Sequence, residues 1–376
     1  MIFFCFANLD QLTNTEGLSD YIENLEDQFK DKIGGAVAVV YKGQVIYKKT
    51  FGQTKLEDGK PITSKTVFSI ASCTKPIVST AVAMLIKQKK LRLNDTVTFF
   101  KKNQPVKVEH LLAHTTGYVF DGETDGKRNN NRMIEKGVPR LQLLKILKNS
   151  PQEFKPGEKY SYNNITFSLI ENIIKSSTKK NWKYAVAELL DSLDINDYAF
   201  GCPENDETIA YPHSIKSEQF QTEVETLPVK RPHHESVGSA GGLFMSLDGM
   251  IKFLKLHMGY APHVLTKKDL KKFHEPRIST SSDWFMTTWP IPREEFDLSY
   301  GLGWRIFDYK NDPLKKNRIV FSMGYLRGML PFIGFLPNHE IGIVILLNQD
   351  YYNFSLEQGL GFLNYFVSKS TSNCKI

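Results

Sequence analysis

Hydrophobic and polar positions divide the chain into three parts with different spacing. Near the start, apolar residues fill two short runs, 34–41 and 44–49, on either side of Lys42 and Gly43, and this pattern predicts a β-hairpin. Apolar residues then recur with helical periodicity over 77–86, which predicts a helix there. The last quarter of the chain has four strand-like runs and then a helical pattern, at residues 300–306, 318–321, 329–335, 341–347 and 356–367 respectively.

In the middle of the chain, from about Asp95 to Thr280, helical spacing is common and strand patterns are scarce. The helical segments there cover residues 108–114, 141–147, 167–174 and 182–193. Because strands at the two ends of the chain are expected to complete one sheet, we predict a mixed α/β (α+β) fold. It has a mostly antiparallel sheet from the N- and C-terminal strands, flanked by helices, with an inserted α-helical subdomain. The predicted single domain, 17–376, consists of a sheet subdomain, 17–94 and 281–376, and a mainly helical insertion, 95–280.

The composition is that of an ordinary globular protein, and it argues against several classes of function. A net charge of +7 over 376 residues is spread along the chain, and its small lysine clusters are typical of solvated faces, so we expect no nucleic-acid partner. The four cysteines, Cys5, Cys73, Cys202 and Cys374, lack the C-x-x-C spacing of a zinc site, and we expect no metal and no cofactor. Cys73 is interpreted as a small buried residue and not as a reactive thiol.

The first residues are apolar, but no run approaches the roughly 18 apolar residues of a membrane span, so we predict no integral membrane span. Residues 1–16 are interpreted as a leader or the remnant of a signal peptide, and an ordinary hydrophobic N-terminus explains them equally well. The first interpretation predicts an extracytoplasmic protein of the periplasm or cell envelope, whereas the second is compatible with the cytoplasm. The sequence does not give the oligomeric state.

The candidate nucleophile is Ser72, at the start of the helical pattern. Lys75 follows one helical turn later, so its amine can reach the Ser72 hydroxyl and, once deprotonated, accept the hydroxyl proton. The pattern Ser-x-x-Lys also begins at Ser176, Ser177 and Ser372, but only Ser72 leads into an apolar helix. On this stretch alone, a plain helix-capping serine is an equal alternative.

Two further segments carry candidate chemistry. Tyr162 and Asn164 follow a Pro-Gly turn, and the phenol could relay a proton if a nearby lysine lowers its pKa from about 10. Ser322, Gly324 and Tyr325 lie between two strand-like runs. A glycine in such a place can mark the approach of a ligand to an edge strand, and a backbone N–H there can bind an oxyanion. Alone, each segment is also consistent with a plain loop or a hairpin turn.

Taken together, the three segments resemble the serine β-lactamase and penicillin-binding-protein superfamily, specifically its class C-like branch, which also contains DD-peptidases and esterases. Four supporting motifs are similar to those of the family, at residues 111–117 (Leu-Leu-Ala-His-Thr-Thr-Gly), 155–164, 239–246 and 300–304. The resemblance covers about residues 35–348. It implies an antiparallel sheet with helices on both faces, an α-helical subdomain, and a site in the cleft between them.

The resemblance also implies a role for each candidate residue. Ser72 would be the acylated nucleophile, Lys75 the base or the partner that lowers a pKa, and Tyr162 the proton relay. Asn164 would be a ligand to the substrate or to the lysine. The backbone N–H groups of Ser72 and Tyr325 would form the oxyanion hole. The implied partner is a small-molecule or peptide-like substrate.

One position departs from the family pattern. Ser322 stands where the family usually has Lys or His to bind a substrate carboxylate, and a neutral hydroxyl makes a weaker bond than a charged donor. Arg327 is an alternative source of that charge. We therefore expect a serine hydrolase that forms an acyl-enzyme with an ester, a D-amino-acid peptide or a β-lactam-like amide, and that is not an efficient β-lactamase. The alternative is a catalytically silent relative that binds or senses a ligand in the same cleft.

Overall fold

The fold is given by a computed structural model, which describes residues 27–29, 32–100, 104–119, 133–134, 136–203, 208–218, 221–229, 236, 238–281, 293–350 and 354–372. Some of the predictions concern residues outside this set. They are the leader, 1–16, and two of the cysteines, Cys5 and Cys374.

The described chain begins with three strands, continues through a mainly helical middle part, and ends with six consecutive strands and a helix. In chain order the strands are β1 (Gly34–Tyr41), β2 (Gln44–Gly52), β3 (Val67–Ser69), β4 (Tyr198–Phe200), β5 (His213–Glu218), β6 (Gln221–Thr226), β7 (Leu243–Ser246), β8 (Ile278–Ser279), β9 (Phe296–Tyr300), β10 (Arg305–Tyr309), β11 (Ile319–Met323), β12 (Phe332–Leu336) and β13 (Ile341–Leu347). The helices are α1 (Thr74–Lys87), α2 (Val108–Leu112), α3 (Arg140–Asn149), α4 (Asn164–Ser168), α5 (Ile170–Thr178), α6 (Trp182–Asp191), α7 (Leu247–His257), α8 (Lys267–Lys271) and α9 (Phe354–Ser372).

One large sheet joins the two ends of the described chain. Its eight strands are antiparallel and lie in the order β2-β1-β13-β12-β11-β10-β9-β8. The N-terminal hairpin therefore pairs directly with the C-terminal strand, with Val39 opposite Ile343. This arrangement confirms the predicted fold class, an antiparallel sheet built from N- and C-terminal strands and flanked by helices.

Helices cover both faces of the large sheet, as the alternation along β13 shows. Ile343 and Ile345 pack into a core that contains Leu360 and Phe362 of α9. The residue between them, Val344, faces the other core, which contains most of α1 and α7. Because successive side chains of a strand point to opposite faces, β13 is apolar without interruption and is buried along its whole length.

Strands are more frequent between Asp95 and Thr280 than the sequence predicted. β7 pairs with β3 and β4 in a three-stranded sheet, and β5 pairs with β6. Several of these strands have only three or four residues, too few to show a period of two, and the partners of β7 lie far away in the chain. The predicted boundaries between the sheet subdomain and the helical insertion stay a prediction.

The run 300–306 was predicted as one strand, which is wrong. β9 ends at Tyr300 and β10 begins at Arg305, and Gly303 between them has a φ of +86°, a left-handed conformation that suits glycine. A Cβ at Gly303 would also collide with Ser79 of α1. The turn therefore brings the beginning of β10 close to the helix that follows the candidate nucleophile.

Candidate active site

Ser72 lies in a short 3-10 turn, Ala71–Cys73, that connects β3 to α1. Leu243 of β7 holds this turn from both sides, because its carbonyl accepts from the N–H of Ile70 and its N–H donates to the hydroxyl of Thr74. Ser72 is partly exposed between two buried neighbours. Ala71 has a φ of +42°, a left-handed conformation that costs a non-glycine residue roughly 1–2 kcal/mol. The candidate nucleophile thus lies on a fixed and strained turn.

The side chain of Lys75 is buried and reaches three oxygen atoms. Its Nζ lies 2.6 Å from Oδ1 of Asn164, 2.7 Å from the carbonyl oxygen of Ala240 and 3.2 Å from Oγ of Ser72. Burial first, and then the charge of Arg305, hold the pKa of Lys75 well below its usual value. The amide oxygen of Asn164 and the carbonyl oxygen of Ala240 can only accept hydrogen bonds. In a neutral amine these two bonds use both N–H groups, so the lone pair is left for the Ser72 hydroxyl.

Tyr162 is the second side chain that contacts the Ser72 hydroxyl. Its hydroxyl donates to Oγ of Ser72 at 2.8 Å, and the Nζ of Lys75 lies 4.6 Å from the centre of the ring. The next residue, Asn163, caps α4 by accepting from the N–H groups of Ile165 and Thr166. This cap fixes the chain between Tyr162 and Asn164, so the two predicted residues meet Ser72 and Lys75 respectively.

The end of β11 lies against the turn that carries Ser72. A Cβ at Gly324 would be 2.8 Å from Cβ of Ala71 and 2.8 Å from the carbonyl oxygen of Ile70, so only glycine allows this contact. Ser322 is buried next to the thiol of Cys73, and this thiol donates to the carbonyl of Pro331 at 3.7 Å. Tyr325 follows at the surface, 48% exposed. The three residues that were predicted from this segment are therefore neighbours of the nucleophile turn.

The prediction that this segment belongs to an edge strand needs correction. β11 lies inside the large sheet, between β10 and β12. Pairing with β10, however, ends at Phe321, whereas Ser322 and Met323 still pair with β12. Among the described residues, β11 therefore has no strand partner on its β10 side beyond Phe321.

Arg305, the first residue of β10, was not predicted from the sequence. It is 6% exposed, its guanidinium carbon lies 5.6 Å from the ring centres of both Tyr162 and Tyr300, and it donates to the Tyr160 hydroxyl at 3.4 Å. Nothing in the sequence marks this arginine, because its contact with the site depends on how the sheet is assembled. Arg327, which was considered as a source of charge, contacts Ser214 instead, at 3.2 Å.

Two other residues of the site, His114 and Glu171, were also not predicted. The buried ring of His114 lies 4.3 Å from that of Tyr162, and its Nδ1 accepts from the N–H of Asn163 at 3.2 Å. Burial first, and then the charge of Arg305, lower the pKa of His114 well below its usual value, so the ring is neutral. His114 belongs to one of the quoted motifs, which was the available signal.

The second is Glu171 of α5, which accepts from both the N–H and the hydroxyl of Ser239, each at 3.0 Å, and pairs with Arg140 at 3.3 Å. Ser239 precedes Ala240, whose carbonyl accepts from Lys75. The carboxylate thus holds the loop that binds the lysine. It had no recognisable signal in the sequence.

The chain is similar to known proteins in sequence and in fold. A family model described as Beta-lactamase matches residues 22–362, most of the chain. The chain belongs to the β-lactamase family. Protein flp of Staphylococcus aureus (strain COL) is 24% identical over 328 residues, which cover 84% of this chain and 59% of that protein. The chain therefore spans less than two thirds of the length of this relative.

Solved structures of the β-lactamase family share the fold. An octameric penicillin-binding protein homologue from Pyrococcus abyssi superposes with a TM-score of 0.75 and 21% identity, covering 94% of this chain and 78% of the other. A class C β-lactamase superposes with a TM-score of 0.68 and 19% identity, covering 96% and 98%. The predicted superfamily is therefore confirmed. Among the described residues, no helix combines the length and hydrophobicity needed to cross a lipid bilayer.

Proposed function

We propose that this member of the β-lactamase family is a serine hydrolase in which Ser72 forms an acyl-enzyme. The observation that carries the proposal is the pair of contacts at Oγ of Ser72, 3.2 Å from the Lys75 amine and 2.8 Å from the Tyr162 hydroxyl. A serine needs an adjacent base to act as a nucleophile, and both groups lie within reach of its proton.

The acylation step follows from the hydrogen bonds of Lys75. The amine is neutral because burial disfavours its charged form, and its lone pair accepts the Ser72 proton as Oγ attacks the substrate carbonyl. When the tetrahedral intermediate collapses, the bond to the leaving group breaks and the proton passes through Tyr162 to the departing alcohol or amine. Water then attacks the ester on Ser72, and the same groups remove and return a proton.

The oxyanion needs donors close to Ser72. We assign this role to the backbone N–H groups of Ser72 and Tyr325, since Gly324 packs its backbone against Ala71. The N–H of Gly324 itself is occupied, because it donates to the carbonyl of Pro331 at 2.9 Å. The substrate would lie along the open side of β11 next to Ser322.

The proposed substrate is an ester or a D-amino-acid amide, and efficient hydrolysis of β-lactams is not expected. Ser322 offers a neutral hydroxyl, and Arg327 is engaged with Ser214 and Glu225. A free carboxylate on the substrate therefore finds no charged donor at either position. We further propose an extracytoplasmic location, which rests on the apolar residues 1–8.

Intact-mass spectrometry after incubation with a fluorophosphonate, and separately with a penicillin, tests the proposal. We expect a single fluorophosphonate adduct on the wild type and none on Ser72→Ala. The matched control is Ser176→Ala, which removes the serine of another Ser-x-x-Lys pattern and should leave the adduct unchanged.

Each outcome has a clear meaning. A penicillin adduct on Ser72 would contradict the substrate preference and restore the β-lactam interpretation. The absence of an adduct with either reagent would overturn the hydrolase and favour the alternative, a silent protein that binds a ligand in this cleft.

A further inference from the structure

Arg305 places a permanent positive charge inside the site. A guanidinium stays protonated over the whole accessible pH range. Burial opposes its charge, but the neighbouring phenols of Tyr160, Tyr300 and Tyr162 outweigh burial and raise the pKa of Arg305 above its usual value. This buried cation has no part in the proton transfers described above.

The charge of Arg305 acts on the candidate base. Its guanidinium carbon lies 5.6 Å from the centre of the Tyr162 ring, and the Nζ of Lys75 lies 4.6 Å from the same centre, so the two groups are within about 10 Å of each other. At this separation, and with an effective dielectric constant of about 20, two like charges change a pKa by about one unit. Arg305 therefore disfavours the ammonium form of Lys75.

The same charge has the opposite effect on the oxygens of the site. Negative charge develops on Tyr162 and on Ser72 when either gives up its proton, and a nearby cation in a buried setting stabilises it. Arg305 contacts the Tyr162 ring, which in turn donates to Ser72. Arg305 therefore favours the neutral amine of Lys75 before the proton transfer, and it favours the anionic oxygen of Ser72 or Tyr162 that the transfer produces.

Three other titratable groups around Lys75 and Tyr162, namely Cys73, Tyr300 and His114, are uncharged at neutral pH. Burial raises the pKa of Cys73 to about 12 and that of Tyr300 well above its usual value, and it lowers that of His114. Tyr160 faces the guanidinium through its hydroxyl. Among these described neighbours, Arg305 supplies the fixed charge.

We propose that Arg305 is a positioning residue that keeps Lys75 neutral and favours negative charge on the oxygens of Tyr162 and Ser72. The positive charge of this site thus comes from β10, while the neighbouring strand β11 offers only the neutral Ser322. This inference rests on the proposed function for its catalytic meaning. Its electrostatic content can be tested in a protein with no detectable activity.

The first measurement is the titration of Lys75 by NMR in protein labelled with 13C and 15N at lysine, with the signal assigned by its loss in Lys75→Gln. We expect the Lys75 midpoint to rise by about one pH unit in Arg305→Met and to stay within a few tenths of the wild type in Arg305→Lys. If Arg305→Met does not fold, Arg305→Gln replaces it, because its amide can still donate to Tyr160.

The second measurement is the rate of fluorophosphonate inactivation as a function of pH. The rate should rise with pH as Lys75 loses its proton. The midpoint of this rise should move to higher pH by about one unit in Arg305→Met and lie close to the wild-type value in Arg305→Lys. The control is Arg318→Met, which removes the arginine just before β11, one that pairs with Asp308 of β10 at 2.7 Å. We expect Arg318→Met to lower stability and to leave the midpoint of the pH–rate profile unchanged.

The outcomes separate the two proposals. A folded Arg305→Met protein whose Lys75 midpoint equals that of the wild type would overturn the role of Arg305. A wild type that does not react with the fluorophosphonate would overturn the proposed function, and the NMR titration would still decide the role of Arg305.

Discussion

Glu171 accepts two hydrogen bonds from Ser239, one from the backbone N–H and one from the hydroxyl, each at 3.0 Å. This double contact fixes the carbonyl of Ala240, which binds the amine of Lys75. The side chain of Lys75 is therefore oriented by a carboxylate that contacts neither Lys75 nor Ser72.

The first prediction is that Glu171→Ala lowers stability and slows acylation. Removal of the acceptor leaves the buried N–H and hydroxyl of Ser239 without this partner, which costs about 1–3 kcal/mol. It also frees Ala240 to move away from Lys75. Urea unfolding and fluorophosphonate kinetics measure the two effects. Glu171→Gln keeps a hydrogen-bond acceptor and should have smaller effects on both quantities. The control, Glu188→Ala on α6, should change neither stability nor acylation rate. Equal effects of the three variants would contradict the role of Glu171.

The second prediction concerns Gly324. In Gly324→Ala the new methyl group would meet Ala71, Ile70 and Pro331 at 2.7–2.8 Å, so the end of β11 must move away from the Ser72 turn. We expect a loss of about 1–3 kcal/mol in stability and a decrease of about 100-fold in the acylation rate.

The matched control for Gly324 is Gly334→Ala on β12, where a methyl group would also be crowded, at 2.9 Å from Phe332. This variant should lose stability and keep its acylation rate per folded molecule. If Gly324→Ala acylated as fast as Gly334→Ala, the contact between β11 and the nucleophile turn would have no functional role.

The third prediction concerns the thiol next to the nucleophile. Burial raises the pKa of Cys73 to about 12, so at pH 8 almost no thiolate exists there and iodoacetamide should leave it unmodified. Cys202 is half-buried and should react. Peptide mapping of the native and the urea-unfolded protein measures both. Modification of Cys73 as fast as Cys202 in the native protein would show the thiol to be accessible.

The fourth prediction follows from a pair of histidines beneath α1. The hydroxyl of Thr80 donates to the carbonyl of Pro76 at 2.7 Å, so the Nε2–H of His257 must donate to Thr80, at 3.0 Å. The Nδ1 of His257 then accepts from Nε2 of His274 at 2.8 Å. Burial lowers the pKa of both rings, that of His274 to about 3, so both are neutral at neutral pH.

These lowered pKa values predict a loss of stability in acid. The unfolded chain binds protons at its histidines below about pH 6.5, whereas the folded chain does not, so the contribution is complete above pH 6.5 and decreases from there towards pH 3. In His274→Gln the urea midpoint should depend less steeply on pH over this window. The exposed His263→Gln is the control, and equal slopes in the wild type and His274→Gln would refute the assignment.

Local patterns predicted much of the fold. β13 has the expected bounds, Ile341–Leu347, and α1 begins two residues after Ser72, because apolar runs and helical spacing are properties of short segments. The proximity of Lys75 to Ser72 follows from the same helical spacing. Short strands such as β3 carry no such signal, since three residues cannot show a period.

The parts of the site that were missed depend on contacts between distant segments. Arg305 meets Tyr162 only after β10 has paired with β11, and Ala240 meets Lys75 from 165 residues away in the chain. A backbone carbonyl can come from any residue, so no residue type marks it. The left-handed conformation of Ala71 is likewise imposed by the packing around it.

The antiparallel pairing of β1 with β13 has a consequence for synthesis on the ribosome. Gly35 pairs with Leu347, so roughly 300 residues must be translated after the N-terminal hairpin before its partner strand, β13, is available. At about 5–20 residues per second, this interval lasts roughly 15–60 s. Throughout it, β1 presents an unpaired apolar edge that can join another nascent chain. Protection of that edge by a chaperone, more than the stability of the finished sheet, is expected to decide how much active protein a cell obtains.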